Sequence, residues 1–182
     1  VCPLIWWHVW DNRPVPYFNK AKYDCVDTIN CISELTYEMC KNVVDLNKIN
    51  YIPHTVPSDM FYPLNQDEIK IHKEKILGLQ KDNFVCIWAN RNIKRKRPAD
   101  VLKAWQIFLM DIDQKYKRKN ATLIMHTDPY DSAGNNLIEI AKSLNIIDNV
   151  KFSDSLVPTE KLNILYNIAD VNILISSNEG WG

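Results

Sequence analysis

From Phe84 onward the chain alternates short apolar runs with longer segments of helical period. The runs 84–89, 121–126, 150–152 and 171–176 are rich in Val, Ile, Phe and Leu and read as strands. Between the first two, Val101, Leu102, Trp105, Phe108, Leu109 and Ile112 recur at steps of three and four, which is one face of a helix, and Pro98 suits its first turn. Asn136 with Glu139 predicts a capped start for a second helix through Leu137, Ile140, Ala141 and Leu144. Thr159 is read as starting a third in the same way, with Leu162, Leu165, Tyr166 and Ala169 facing inward. The order β-α-β-α-β-α-β implies a mostly parallel sheet covered on both faces.

The first 60 residues look like the later part of a similar unit. Segments 4–9 and 26–32 read as strands, Ser33 caps a helix over 34–43, and Tyr51 with Ile52 forms a short last strand. The stretch 53–63 holds three prolines and no helical period, as a domain junction would. A charged amphipathic helix follows over 65–79, capped by Asn65 and Glu68. The expected division is therefore 1–62 for a partial first domain, 63–83 for linker and connecting helix, and 84–182 for a second domain.

With 46% hydrophobic and 24% charged residues, the chain has the make-up of a globular protein with enough apolar surface for a core. Its 22 basic residues equal its 22 acidic ones, so no overall field draws it to nucleic acid or anionic lipid, and any anion site must be local. The longest apolar run, around 1–9, is far shorter than the roughly 20 residues a membrane helix needs. The five cysteines show no CxxC spacing, which argues against zinc and against a disulfide framework, and points to buried, reduced thiols in a cytoplasmic protein. The start at Val1 and the stop at Gly182 read as the ends of an internal piece.

In an open parallel sheet, ligands bind beyond the carboxyl ends of the strands. Two segments lie there and are expected to face one crevice: Asn90-Arg91-Asn92-Ile93-Lys94-Arg95-Lys96-Arg97 and Ser176-Ser177-Asn178-Glu179-Gly180-Trp181-Gly182. Arg91 and Lys96 flank a loop that enters a helix, where side-chain cations and backbone N–H groups together suit a diphosphate. A solvated charge run and a nucleic-acid patch are the competing readings of that loop. Glu179 stands between a polar strand end and two glycines, so its carboxylate can accept sugar hydroxyls, although a Glu-Gly pair is also an ordinary turn. His8 ends a strand of the first domain and is read either as reaching a ligand or as a satisfied core histidine beside tryptophans; His126 invites the same two readings. Ser153 and Asp154 follow the third strand of the second domain and border the same region.

In sequence and spacing these segments resemble the donor domain of glycosyltransferase family 4, whose fold is GT-B. Asn145-Ile146-Ile147-Asp148-Asn149-Val150-Lys151-Phe152 resembles the family's "lgi-d-V-x-F" segment, and Leu165-Tyr166-Asn167-Ile168-Ala169-Asp170-Val171 its "lY-x-x-aDv". Residues 176–182 resemble "S-x-x-E-G-F-G", the opening of a two-glutamate motif. Upstream, Tyr51-Ile52-Pro53-His54-Thr55-Val56-Pro57 with Phe61 and Pro63 is similar to the junction "I-P-h-G-V-D…F-x-P", and Trp7-His8 to the strand end "t-H-d".

The resemblance implies two Rossmann-like domains with parallel sheets, the first incomplete and the second truncated. It implies a retaining glycosyltransferase that moves a hexose from a nucleoside-diphosphate sugar to a glycan, lipid or small-molecule acceptor. Arg91 and Lys96 would hold the diphosphate and stabilise the leaving group. Glu179 would contact the donor sugar, helped by the N–H groups of Gly180 and Trp181, Gly182 would also belong to the donor site, and His8 would approach that sugar from the other domain. No metal and no cofactor are expected, nucleic acid is not an expected partner, and peripheral membrane association stays open. The second glutamate of the motif would lie beyond Gly182, so the chain as it stands is not expected to turn over substrate. One segment departs from the family: where a Gly-x-Gly loop is usual, this chain has the longer and more polar His126-Thr127-Asp128-Pro129-Tyr130-Asp131-Ser132-Ala133-Gly134-Asn135-Asn136. The alternatives are a nucleotide-sugar epimerase of the same fold and a non-catalytic protein that binds a nucleotide or nucleic acid through Lys94 to Arg97.

Overall fold

The computed structural model describes residues 2–78 and 83–181, in two compact units: residues 2–56 with 178–181, and Pro57–Ser177. Leu79, expected to end a helix, and Gly182 lie outside the described residues.

In the first unit, β1 (Ile5–His8), β2 (Thr28–Cys31) and β3 (Ile49–Tyr51) form a parallel sheet in that order. Helix α1 (Lys20–Asp24) precedes β2, and α2 (Glu34–Cys40) joins β2 to β3. Ser33 caps α2 as its residue type predicts, its hydroxyl accepting the Thr36 N–H at 3.1 Å. The core gathers Tyr23, Ile29, Cys31, Cys40, Val43 and Ile49. The sequence pattern gave no sign of α1, which is short and buries only Tyr23.

The second unit opens with α3 (Gln66–Leu77), which starts with the expected capping box: the Asn65 side chain accepts the Asp67 and Glu68 N–H groups, and Glu68 accepts the Asn65 N–H. Then follow β4 (Phe84–Ala89), α4 (Pro98–Tyr116), β5 (Ala121–His126), α5 (Leu137–Ser143), β6 (Val150–Ser153), α6 (Thr159–Ile168) and β7 (Val171–Asn172). The four strands are parallel in the order β6-β5-β4-β7. Alternation along β4 feeds two cores. Cys86 and Trp88 pack with Val101, Leu102 and Trp105 of α4 and with Leu137 of α5, while Val85 and Ile87 pack with Leu165 and Ile168 of α6. The near-continuous apolar strands of the sequence are thus explained by burial on both faces.

Three sequence expectations change. Thr159 is the first residue of α6 and does not cap it; Pro158 stands in the cap position with no side-chain bond, because a fixed φ near the helical value suits the helix entrance. The run 171–176 pairs over only two residues before the chain leaves the sheet edge. The units divide between Val56 and Pro57 instead of at 62, because residues just past that point are tied to α6: the Tyr62 N–H donates to Asn163 at 3.2 Å and the Leu64 N–H to Asn167 at 2.8 Å.

Asp170 closes the second unit's sheet. Its carboxylate accepts the Val85 N–H at 2.7 Å, its own N–H donates to the Val85 carbonyl at 2.8 Å, and Lys73 of α3 pairs with it at 3.1 Å. Among the described residues, no helix is long and apolar enough to cross a membrane.

Candidate functional site

The chain order β4, β5, β6 runs outward on one side of the second sheet, and β7 returns on the other side of β4. This reversal opens the carboxyl edge at β4, which is where open α/β sheets bind ligands. The loops after β4 and β7 meet there: the Ser177 N–H donates to the Arg95 carbonyl at 2.8 Å.

A cavity of about 350 Å³ lies beyond the carboxyl ends of β4, β5 and β6. Asn90 and Arg91 enter it from β4, His126, Thr127, Asp128 and Asp131 from β5, and Ser153 and Asp154 from β6. Leu162 and Tyr166 of α6 form an apolar wall. Burial raises the pKa of the Tyr166 hydroxyl. His126 Nδ1 and the Ser153 hydroxyl share a hydrogen bond of 3.0 Å that links the ends of β5 and β6. The Thr127 hydroxyl is buried and has no hydrogen-bond partner among the described residues.

Arg91 reaches the cavity from an exposed position and is held by Asp131. Its Nε donates to Oδ2 at 2.6 Å and its Nη2 to Oδ1 at 3.3 Å. The hydrogen bond from Arg91 holds the Asp131 carboxyl below its ordinary pKa, and the same bond raises that of the guanidinium. Asp131 belongs to the long polar loop between β5 and α5, and Asn92 fixes that loop. The fully buried Asn92 amide donates to the Asn135 carbonyl at 2.7 Å and, more weakly, to the Asp128 and Pro129 carbonyls, while its oxygen accepts the Asn135 N–H. A Cβ on Gly134 would collide with the backbone oxygen and side-chain amide of Asn92, so only glycine allows this approach. Neither Asn92 nor Asp131 was singled out by sequence; the one available signal was the run of Asp, Gly and Asn residues in a loop too long for a simple connection.

Lys96 ends a 3-10 turn, Lys94–Lys96, in the same unit as Arg91. Arg97 then adopts a left-handed conformation, φ 54°, as the cap of α4, and Pro98 begins the helix as its position in the sequence predicts.

His8, Glu179, Gly180 and Trp181 belong to the first unit. His8 is buried, its Nε2 sharing a 3.0 Å hydrogen bond with the Tyr23 hydroxyl and its ring lying among Trp6, Trp10 and Tyr23. Burial pushes the Tyr23 hydroxyl up to about 12. These are the surroundings of a core histidine. Residues 178–181 were expected within the second domain but pack on the first unit's β1 end. Asn178 donates to Asp11 at 3.1 Å, Trp181 lies edge-on to His54, and a Cβ on Gly180 would strike Val9. A close backbone approach to Val9 is therefore reason enough for glycine at 180.

Of the five cysteines, Cys31, Cys40 and Cys86 are buried as expected, whereas Cys2 and Cys25 are exposed. Among the described residues, no group of three or more His, Cys, Asp or Glu side chains gathers to hold a metal ion.

No protein-family model matches the sequence, and no curated protein does. Solved structures do match. Sucrose-phosphate synthase from Thermosynechococcus elongatus aligns with a TM-score of 0.69 at 20% identity, over 90% of this chain and 38% of that one. The fold is that of the GT-B glycosyltransferases. A glycosyltransferase from Rickettsia africae aligns at 0.68 and 18% identity, over 91% of this chain and 43% of its own. Anabaena HepE, solved in complex with UDP and glucose, aligns at 0.65 and 15% identity, over 96% of this chain and 46% of its own. The chain thus spans less than half the length of each of these GT-B structures.

Proposed function

We propose that this chain is part of a glycosyltransferase that takes a hexose from a nucleoside-diphosphate sugar, and that the cavity beyond β4–β6 receives the donor's nucleotide. The carrying observation is a cationic side chain, Arg91, fixed at the lip of a cavity of about 350 Å³ at the carboxyl edge of a parallel sheet. A diphosphate needs a cation there, and a nucleoside needs an adjoining wall with apolar area and a few polar groups, which Leu162, Tyr166, Ser153 and Asp154 supply. The presence of UDP and glucose in HepE, a protein of the same fold, supports the choice of nucleotide sugar as donor class.

In this reading the bond from the anomeric carbon to the diphosphate breaks as an acceptor hydroxyl attacks, and negative charge grows on the departing phosphate oxygen. Arg91 and Lys96 meet that charge, which lowers the barrier without a metal ion. Retention of configuration at the anomeric carbon, membership of family 4 and contact of Glu179, Gly180 and Trp181 with the donor sugar follow the sequence resemblance. The surroundings of His8, the last residue of β1, favour a structural role, its ring packed against Tyr23 inside the first unit. The acceptor is a glycan, lipid or small molecule.

The reading is tested by incubating the complete protein with UDP-, ADP- and GDP-hexoses and candidate acceptors. Proton NMR then follows nucleoside-diphosphate release and the anomeric configuration of the product. Release coupled to an axial-to-axial or equatorial-to-equatorial transfer supports it. Interconversion of the donor sugar with no transfer would indicate an epimerase, and salt-sensitive oligonucleotide binding with no response to nucleotide sugars would indicate a nucleic-acid binder.

A further inference from the structure

We propose that Asp131 is a positioning residue that fixes Arg91 so that a second anion, the donor diphosphate, can bind the outer edge of the same guanidinium; this rests on the donor reading above. A guanidinium carries five N–H donors in one plane. Asp131 occupies the Nε edge, with contacts at 2.6 and 3.3 Å, which consume the Nε hydrogen and one Nη2 hydrogen. Among the described residues nothing else holds the guanidinium, so both Nη1 hydrogens and the other Nη2 hydrogen remain to form a second two-pronged contact.

The carboxylate is itself rigid, which separates this pair from an ordinary surface ion pair. The Asp131 side chain is only 13% exposed, against 66% for that of Arg91. Asp131 Oδ1 accepts the Ala133 N–H at 2.9 Å, and the loop that carries both is stapled to Asn92. A mobile cation is thus held by an immobile anion. An arginine left to itself would lose most of its rotamer freedom on binding a phosphate; here the fold has already taken that loss. The long loop that replaces a Gly-x-Gly turn therefore acts as a brace for the cation at the cavity lip.

The test is a double-mutant cycle in the complete protein, read as the dissociation constants of UDP, ADP and GDP. Asp131→Asn keeps the acceptor for Ala133 and removes the charge; Asp131→Ala removes both. Each is expected to weaken binding of the preferred nucleotide by roughly tenfold, the factor matching the ordering of one long side chain. In an Arg91→Ala background, Asp131→Asn is expected to have no further effect. The Arg91 Nε–Hε resonance, assigned by its loss in Arg91→Lys, is expected to be protected from exchange in the wild type and unprotected in Asp131→Asn. Equal or tighter binding by Asp131→Asn would overturn the proposal, as would a loss that persists without Arg91, since that would be a defect of the loop alone. If the wild type binds none of the three nucleotides while the Hε resonance is protected, the donor reading fails and the brace loses its function though not its geometry.

Discussion

The Asn92 side-chain amide donates to the Asn135 carbonyl at 2.7 Å from a fully buried position, and Gly134 lies so close to Asn92 that no Cβ fits between them. The two residues tie the loop after β4 to the loop after β5. Asn92→Ala strands backbone groups of Asp128, Pro129 and Asn135 and is expected to cost about 2–3 kcal/mol. Gly134→Ala forces the loops apart at about 1–3 kcal/mol. Urea unfolding, with midpoints compared at constant slope, reads both losses.

Asp170 and Lys73 offer an internal contrast. Asp170→Ala leaves the N–H of Val85, the second residue of the buried strand β4, without its acceptor and is expected to cost about 1–3 kcal/mol. Lys73→Ala removes only the ion pair, worth about 0–1 kcal/mol for a partly exposed pair. Chemical denaturation of the two variants is expected to rank them in that order. Equal losses would mean that the ion pair, and not the backbone contact, is what Asp170 supplies.

Thiol reactivity follows burial. Cys2 and Cys25 are expected to react rapidly with a thiol-specific disulfide reagent at neutral pH, and the other three slowly. Burial, with Asp170 adding to it, pushes the Cys86 thiol up to about 11, and the hydrogen bond to Cys40 pushes Cys31 up as well. A raised thiol pKa means that the reactive thiolate appears only as pH climbs toward that value. Cys40 is shifted the other way, down to about 5 by the hydrogen bond with Cys31, but it is fully buried, so access and not thiolate fraction keeps it slow. The native protein is expected to show two fast cysteines from pH 7 to 9, and all five after unfolding in urea.

Arg91 is expected to serve the site and to add little to the fold. Its side chain is 66% exposed, so Arg91→Ala is expected to leave the unfolding midpoint nearly unchanged. In the complete protein the same substitution is expected to lower kcat by about a hundredfold or more, since it removes a cation from the place where charge develops. Lys96→Ala is expected to act in the same direction. Steady-state kinetics beside thermal unfolding checks both, and unchanged turnover in the two variants would remove the assigned roles.

The second unit was legible because β4 and β5 are buried on both faces and its longer helices carry one apolar stripe each. β4 and β5 were predicted to the residue, and the caps at Ser33, Asn65 and Asn136 stand where their residue types indicated. Thr159 misled because a threonine before an apolar stripe also fits the first helical turn once proline precedes it. Helix α1 was missed because one buried tyrosine makes no period. At the site, the position of Arg91 at a strand's carboxyl end was readable, as was the polar character of the β5–α5 loop. That Asp131 grips Arg91 was not, since 40 residues separate them and only the pairing of β4 with β5 brings their loops together.

A nucleoside diphosphate is proposed to bind beyond β4, β5 and β6. Hydrogen–deuterium exchange of the complete protein, with and without saturating UDP, ADP or GDP, tests it most directly. Slowed exchange is expected for at least one nucleotide in residues 90–97, 126–131 and 153–156, with α4's outer face unchanged. Slowed exchange confined to other segments, or none with any of the three, would contradict it.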